Sequence, residues 1–213
     1  MIKNIYEVCD KAPFFIIRQV TFDGVKGQSL PQRKENVRRQ HDAYIREYHR
    51  SCPLEVSNAG ETRQGYQLSA YNLTAANGFH VENMFQSAKT FEHGGPFKDL
   101  LTAKPFNAQH DSRLRKSGRL ICFTLFDVQY PLDPKTAYYD WIYTQALADN
   151  PDLAAFAIRF DSFTDISFHP ERQINCQAEA CAVYTGMVRA GINPRMSFED
   201  FARTIWGNDA CAR

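Results

Sequence analysis

No cysteine pair in this sequence has C-x-x-C spacing, and neither H-E-x-x-H, a Gly-rich phosphate loop nor any other spaced ligand set occurs. The histidines, at positions 41, 49, 80, 93, 110 and 169, are too dispersed to argue for a metal. The expectation is therefore a protein without metal or cofactor. The cysteines Cys9, Cys52, Cys122, Cys176, Cys181 and Cys211 are scattered, and Met1-Ile2-Lys3-Asn4-Ile5 lacks the long apolar run of a secretory leader. Reduced thiols in a cytoplasmic protein are the reading that follows. No stretch approaches the length needed to span a bilayer. Charge imbalance is also missing: the net charge is +1, so contact with a polyanion must come from a local patch. Repeats and linker-like stretches are absent too. What is present is 213 residues, 44% hydrophobic and 13% aromatic, enough for one domain with its own core.

The chain is organised around residues 80–92. Val81, Met84, Phe85, Ala88 and Phe91 recur at helical spacing, preceded by the turn signal Asn77-Gly78 and closed by Gly94-Gly95-Pro96. This predicts a helix running to about Glu92. Glu82, Gln86 and Lys89 lie in a row on one face of it, beside Phe85. Such a row is either a solvated edge or a pocket wall carrying a carboxylate, an amide and an amine.

Residues 13–20 read as a strand, and a helix from Pro31 to about Tyr48 follows, with Ser29 as its cap. That helix turns Val37, Tyr44, Ile45 and Tyr48 to its apolar side and carries Arg33, Lys34, Arg38, Arg39, Arg46 and Arg50. It is a solvated surface helix or a phosphate-contacting rail for DNA, with Arg38, Arg39 and Arg46 as its candidate contacts. Residues 53–57 and 66–73 read as short strands, the second placing Ser69 and Asn72 at a pocket rim or in solvent. Residues 97–101 form a short helix or turn. Leu120 to Phe126 is the best strand, and Arg113, Arg115, Lys116 and Arg119 just before it are of the type that grips a diphosphate. A helix from Asp133-Pro134 to about Asp149, another from Asp152 to about Phe160, and a buried one from Cys176 to Ala190 follow. Between the last two, residues 161–176 show no regular pattern. Ser197 starts a final helix, and residues 208–213 are expected to fray. The sum is an α+β fold, predominantly helical, with a small β-sheet. Residues 1–52 read as a strand–helix accessory to a domain spanning 53–213, the two forming one compact unit.

Several segments carry a resemblance. Glu82-x-x-Phe85-Gln86-x-x-Lys89 resembles the signature helix of the NADAR family, glycosidases acting on ADP-ribose linkages. Residues 91–97, 111–120, 139–141, 161–166 and 174–178 resemble the branch found as antitoxin beside DarT-type DNA ADP-ribosyltransferases. The resemblance runs from about Leu54 to the late 180s. It implies an ADP-ribosylglycohydrolase that frees guanine bases in ADP-ribosylated DNA and releases ADP-ribose, with a DarT-like toxin as functional partner and no membrane. It further implies catalytic roles for Glu82, Lys89 and Asp165, and substrate contacts from Phe85, Gln86, Asp140-Trp141 and Asn175. Asn72 and Arg119 join the candidate substrate contacts from the rim and diphosphate arguments.

The chemistry suits these residue types. Cleaving an N-glycosidic bond passes through an oxocarbenium-like state, which calls for negative charge near the ribose and a proton for the leaving nitrogen. Glu82 and Asp165 can divide those tasks. Lys89, if neutral, can attack the anomeric carbon or its opened aldehyde and form a Schiff base. That requires its pKa to fall from about 10.4 to roughly 7–8, which Glu82 opposes by charge. Two alternatives stand beside this reading: an N-glycosidase of riboflavin-pathway intermediates, and a non-catalytic antitoxin that binds ADP-ribose or the toxin.

Overall fold

The computed structural model describes residues 1–207. The chain opens with strand β1 (Ile2–Val8), which pairs antiparallel along its whole length with β2 (Phe15–Thr21), from Ile2 opposite Thr21 to Val8 opposite Phe15. β1 was not anticipated, because Lys3 and Glu7 interrupt its apolar character. Both are buried and both are satisfied. Lys3 Nζ donates to the carbonyls of Ile166 and Phe168 at 2.7 and 2.5 Å, and Glu7 accepts from Tyr44 at 2.6 Å and Arg18 at 3.1 Å.

Helix α1 (Leu30–Tyr48) begins where Ser29 was expected to cap it, the Ser29 N–H and hydroxyl both donating to Gln32 Oε1. Strand β3 (Leu54–Glu55) follows. The strand expected over residues 66–73 is instead the short helix α2 (Arg63–Gln67) and a series of turns. The local reason is Thr62, whose hydroxyl accepts from the Gly65 N–H at 2.9 Å and starts a helical turn.

The central helix α3 (Val81–Ala88) stops earlier than its periodicity suggests. Lys89, at φ −60° and ψ 120°, is extended and opens strand β4 (Lys89–Phe91), which pairs with β5 (Leu120–Leu125). Phe91 is thus buried as a strand residue. Between β4 and β5 lie a 3₁₀ turn at Lys98–Thr102, helix α4 (Pro105–Gln109) and helix α5 (Arg113–Lys116). β6 (Val128–Tyr130) completes a three-stranded antiparallel sheet in the order β4-β5-β6.

Helix α6 (Ala137–Ala148) starts four residues after Asp133, with Thr136 in the capping position, and α7 (Pro151–Ala157) succeeds it. The segment expected to be irregular contains β7 (Ser162–Thr164). Helices α8 (Gln177–Arg189) and α9 (Phe198–Trp206) close the described chain, and Ser197 caps α9 by accepting from the Asp200 N–H at 3.1 Å. The expectation of fraying at residues 208–213 lies outside the described residues.

The first sheet has the order β2-β1-β7-β3, with β7 antiparallel to β1 and parallel to β3. Alternation along β1 sends Ile5 to one face, where it packs with Val20, Val37 and Tyr44 under α1. Tyr6 goes to the other face, into the main core with Leu54, Phe163 and Ala178 of α8. β1 therefore pairs with strands from both ends of the chain, and the sheet is shared between residues 1–52 and the remainder. α3 packs against β5 of the second sheet and against α6, with Phe85 among Phe123, Tyr138 and Tyr139.

Candidate active site

A cavity of about 840 Å³ opens along α3. Glu82, Phe85, Gln86 and Lys89 line one wall, so the polar row does face a pocket. Lys89 Nζ donates to Gln86 Oε1 at 2.7 Å, and Gln86 Nε2 donates to Glu82 Oε1 at 2.8 Å. The amide thus stands between amine and carboxylate as a relay. Lys89 Nζ also sits 4.5 Å from the centre of the Phe85 ring.

This arrangement answers the opposition between Glu82 and Lys89. Burial lowers the Lys89 pKa to about 8, and the charge of Glu82 offsets this only in part. Glu82 is itself buried, and desolvation raises its carboxyl above the usual range against the Gln86 hydrogen bond and the Lys89 charge. Burial thus shifts both groups in the direction of their neutral forms.

Asp165 enters the cavity from the loop after β7. Its carboxylate accepts from the Ser167 N–H at 2.9 Å and from Gln177 Nε2 at 3.0 Å. Burial raises its pKa, opposed by these bonds and by Lys3. Gln177 Oε1 in turn accepts from the Ala70 N–H at 2.7 Å, and the Ala70 carbonyl accepts from the Glu82 N–H at 3.0 Å. A continuous hydrogen-bonded path therefore fixes the spacing of the segments carrying the two acids.

Beneath Asp165 lies a second carboxyl that the sequence reading did not single out. Glu55 is fully buried and accepts from Ser57, from Thr164 at 2.7 Å and from the Ile166 N–H at 2.9 Å. Burial first, and the charge of Asp165 second, push its pKa up to about 7. His41 of α1 reaches Thr164 Oγ1 at 2.8 Å from the other side. Ser57 faces the cavity, so this sealed network underlies its floor.

The other expected contacts divide. Asn175 lines the cavity, and its buried Oδ1 has no protein partner. Asn72 does not line it: its amide donates to Asn58 Oδ1 at 3.1 Å and to the Tyr66 carbonyl at 2.9 Å, and Asn58 is the residue that faces inward. Asp140 and Trp141 are also turned away. Trp141 donates to the Met196 carbonyl at 3.0 Å and packs on Tyr130 and Phe198, while Asp140 is fully buried next to Glu179. One residue on a helix is a rotation of about 100°, and it is Tyr139, edge-on to Phe85, that faces the cavity. Arg119 is exposed, bonded to Glu92 at 3.2 Å and outside the cavity, and Arg113 is held by Asp99 and Asp111. The diphosphate grip expected there is thus drawn away from the pocket.

On α1, Arg38 pairs with Glu61 at 2.7 Å and Glu35 at 3.3 Å, Arg39 pairs with Glu35 at 2.9 Å, and Arg46 is exposed. The cation of that helix that enters the cavity is Arg33, which bonds Ser167 at 3.3 Å and keeps its buried Nε unpartnered. Arg172 and Lys135 join it on the wall. A signal for Arg33 existed: it stands four residues before Val37 and extends the buried stripe Val37, His41, Tyr44 toward the helix start. No three His, Cys, Asp or Glu side chains gather as a metal site among the described residues, and none of their helices is long and apolar enough to cross a membrane.

No curated protein matches the chain. A family model described as the DarT1-associated NADAR antitoxin matches residues 1–212. On that match, which spans the acid–amide–amine wall and the strands that support it, the chain belongs to the NADAR-DarT1 family of antitoxins.

Proposed function

We propose that this antitoxin is an ADP-ribosylglycohydrolase that hydrolyses the N-glycosidic bond between ADP-ribose and guanine bases in DNA, undoing the modification made by a DarT-like toxin. The observation that carries the reading is the Lys89–Gln86–Glu82 relay in a cavity large enough for a nucleotide, with the amine brought to about 8 by burial.

In the proposed reaction, neutral Lys89 Nζ forms a bond to the anomeric carbon as the bond from that carbon to the guanine nitrogen breaks. The leaving nitrogen takes the proton held by Glu82. The sugar ring then opens as a proton of the Lys89 nitrogen passes to the ring oxygen, leaving a protonated Schiff base. Water adds to it, and release of ADP-ribose and the free amine returns a proton to Glu82. Asp165, held by Ser167 and Gln177, supplies negative charge beside the oxocarbenium-like carbon. Arg33, Arg172 and Lys135 are the cavity cations suited to the diphosphate. Asn58 and Asn175 are suited to ribose hydroxyls.

The test is incubation of the protein with guanine-ADP-ribosylated DNA in EDTA, one arm containing borohydride. The expected result is release of ADP-ribose and a borohydride-dependent adduct on Lys89. Release without an adduct would keep the hydrolysis and remove the covalent step. No release would leave antitoxin action by binding, or a small-molecule substrate, as the reading to pursue.

A further inference from the structure

At one rim of the cavity, α4 presents an aromatic ring that packing does not explain. Phe106 is 62% exposed although it lines the pocket, while Phe85 and Phe123 on the same wall system are buried. One face of its ring lies on His110, with ring centres 4.2 Å apart and planes 26° from parallel. His110 is held in that pose by its Nδ1, which donates to the Phe106 carbonyl at 2.8 Å. The opposite ring face is open.

This rim is coupled to the reacting end of the site. Asn83, on α3 next to Glu82, donates to the carbonyls of Leu100 at 2.6 Å and Ala103 at 2.8 Å, pinning the segment that leads into α4. Gln109 accepts from the hydroxyl of Tyr71, another wall residue. His110 and Glu82 line the same cavity. The diphosphate cations Arg33 and Arg172 belong to a different set of elements, α1 and the loop after β7, where Arg33 meets Ser167. The group bonded directly to the anomeric carbon must lie within about one sugar ring of Glu82 and Lys89. The adenine of ADP-ribose lies beyond the diphosphate. Exposure points the same way: a base that remains part of a polynucleotide needs a subsite open to solvent, whereas a terminal adenine does not.

We infer that the open face of Phe106, backed by His110, is the stacking subsite for the ADP-ribosylated nucleobase, presented unpaired from its strand. This rests on the hydrolytic reading above. Stacking on an aromatic plane is tolerant of base identity, and an unpaired base is what a duplex must yield before a group buried in this cavity can reach it. Helix α5 follows directly, with Arg115 and Lys116 exposed where the backbone of that strand would run.

The experiment compares the full chain with Phe106→Ala and Phe106→Trp on ADP-ribosylated single-stranded DNA, and measures ADP-ribose binding by calorimetry in parallel. Phe106→Ala is expected to raise KM roughly ten- to a hundredfold, with ADP-ribose affinity unchanged and Phe106→Trp close to the starting protein. Equal KM for Phe106→Ala and the starting protein would overturn the subsite and leave the hydrolysis standing. An equal loss of ADP-ribose affinity would also overturn it, by moving the ring to the nucleotide end. Loss in both variants alike would show a structural role instead. If the starting protein releases no ADP-ribose, the hydrolytic reading fails and the subsite falls with it.

Discussion

Glu82 and Glu55 are both buried, both hydrogen-bonded and both raised in pKa chiefly by loss of water, yet they face different things. Glu82 meets an amide that leads to an amine at a cavity wall. Glu55 meets two hydroxyls and a backbone N–H, and its neighbours close over it. Desolvation alone therefore does not mark a reacting group. What separates the two is whether the carboxyl's proton has an open path to a ligand. In the proposed hydrolysis Glu82 is accordingly the proton-bearing carboxyl, whereas Glu55 holds Ser57 and the loop of Asp165 in place.

The largest effects should come from the Glu82 side. Lys89→Ala is expected to lower kcat on ADP-ribosylated DNA by about 10³-fold or more, and Glu82→Gln by about 10²- to 10⁴-fold, read in single-turnover assays. Glu55→Gln, which mimics the protonated carboxyl, should cost about tenfold or less. Parity between Glu55→Gln and Glu82→Gln would erase the distinction.

The pH profile sharpens it. If Lys89 acts as the neutral amine, the rising limb of kcat/KM should have its midpoint near pH 8, the value to which burial brings that amine. In Glu55→Gln the same limb should remain, because that carboxyl makes no contact with the amine. A limb displaced by a full pH unit in that variant would tie the two networks together.

A middle-sized effect belongs to α1. Arg33→Ala should weaken ADP-ribose binding by about tenfold, since it removes a cation from a cavity wall. Charge reversal at Arg38 and Arg39, which are occupied by Glu35 and Glu61, should leave ADP-ribose binding unchanged. If the rail reading of that face is right, charge reversal weakens activity on DNA alone.

The smallest effect is on stability. Folding raises Glu55 from 4.5 to about 7, so its contribution is complete below pH 4.5 and is lost as pH rises toward 7. His41 runs the other way: lowered by burial from 6.5 to about 4, it contributes above pH 6.5 and loses that as pH falls toward 4. Glu55→Gln should flatten the first slope and keep the second, measurable by urea unfolding between pH 4 and 8.

The same contrast explains what could be read in advance. The Glu82, Gln86, Lys89 row was legible because helical spacing alone places it on one side, and Lys89 kept its place although the helix ends at Ala88. Asp165 and Asn175 reach the cavity as their positions in the resemblance implied. Glu55 was not legible, since nothing within a two-residue strand says that Thr164, over a hundred residues away, will close on it. β1 escaped because Lys3 and Glu7 look like surface charges until their distant partners are known. Trp141 shows the converse error: the position was singled out by likeness, but Phe198 and Met196, supplied from far along the chain, decide which way the indole points. Arg33 was one cation among six until α1 docked on the sheet.

The low pKa of Lys89 has a practical consequence for chemical labelling. With a pKa of about 8, about a tenth of its amines are uncharged at pH 7, against well under a hundredth for an ordinary surface lysine. Lys3 is also depressed by burial, but it is 5% exposed and bonded to two carbonyls, so a reagent has no approach to it. Lys89 opens onto a cavity. An aldehyde or activated ester of modest reactivity, used near neutrality, would therefore acquire selectivity for Lys89 from the protein itself.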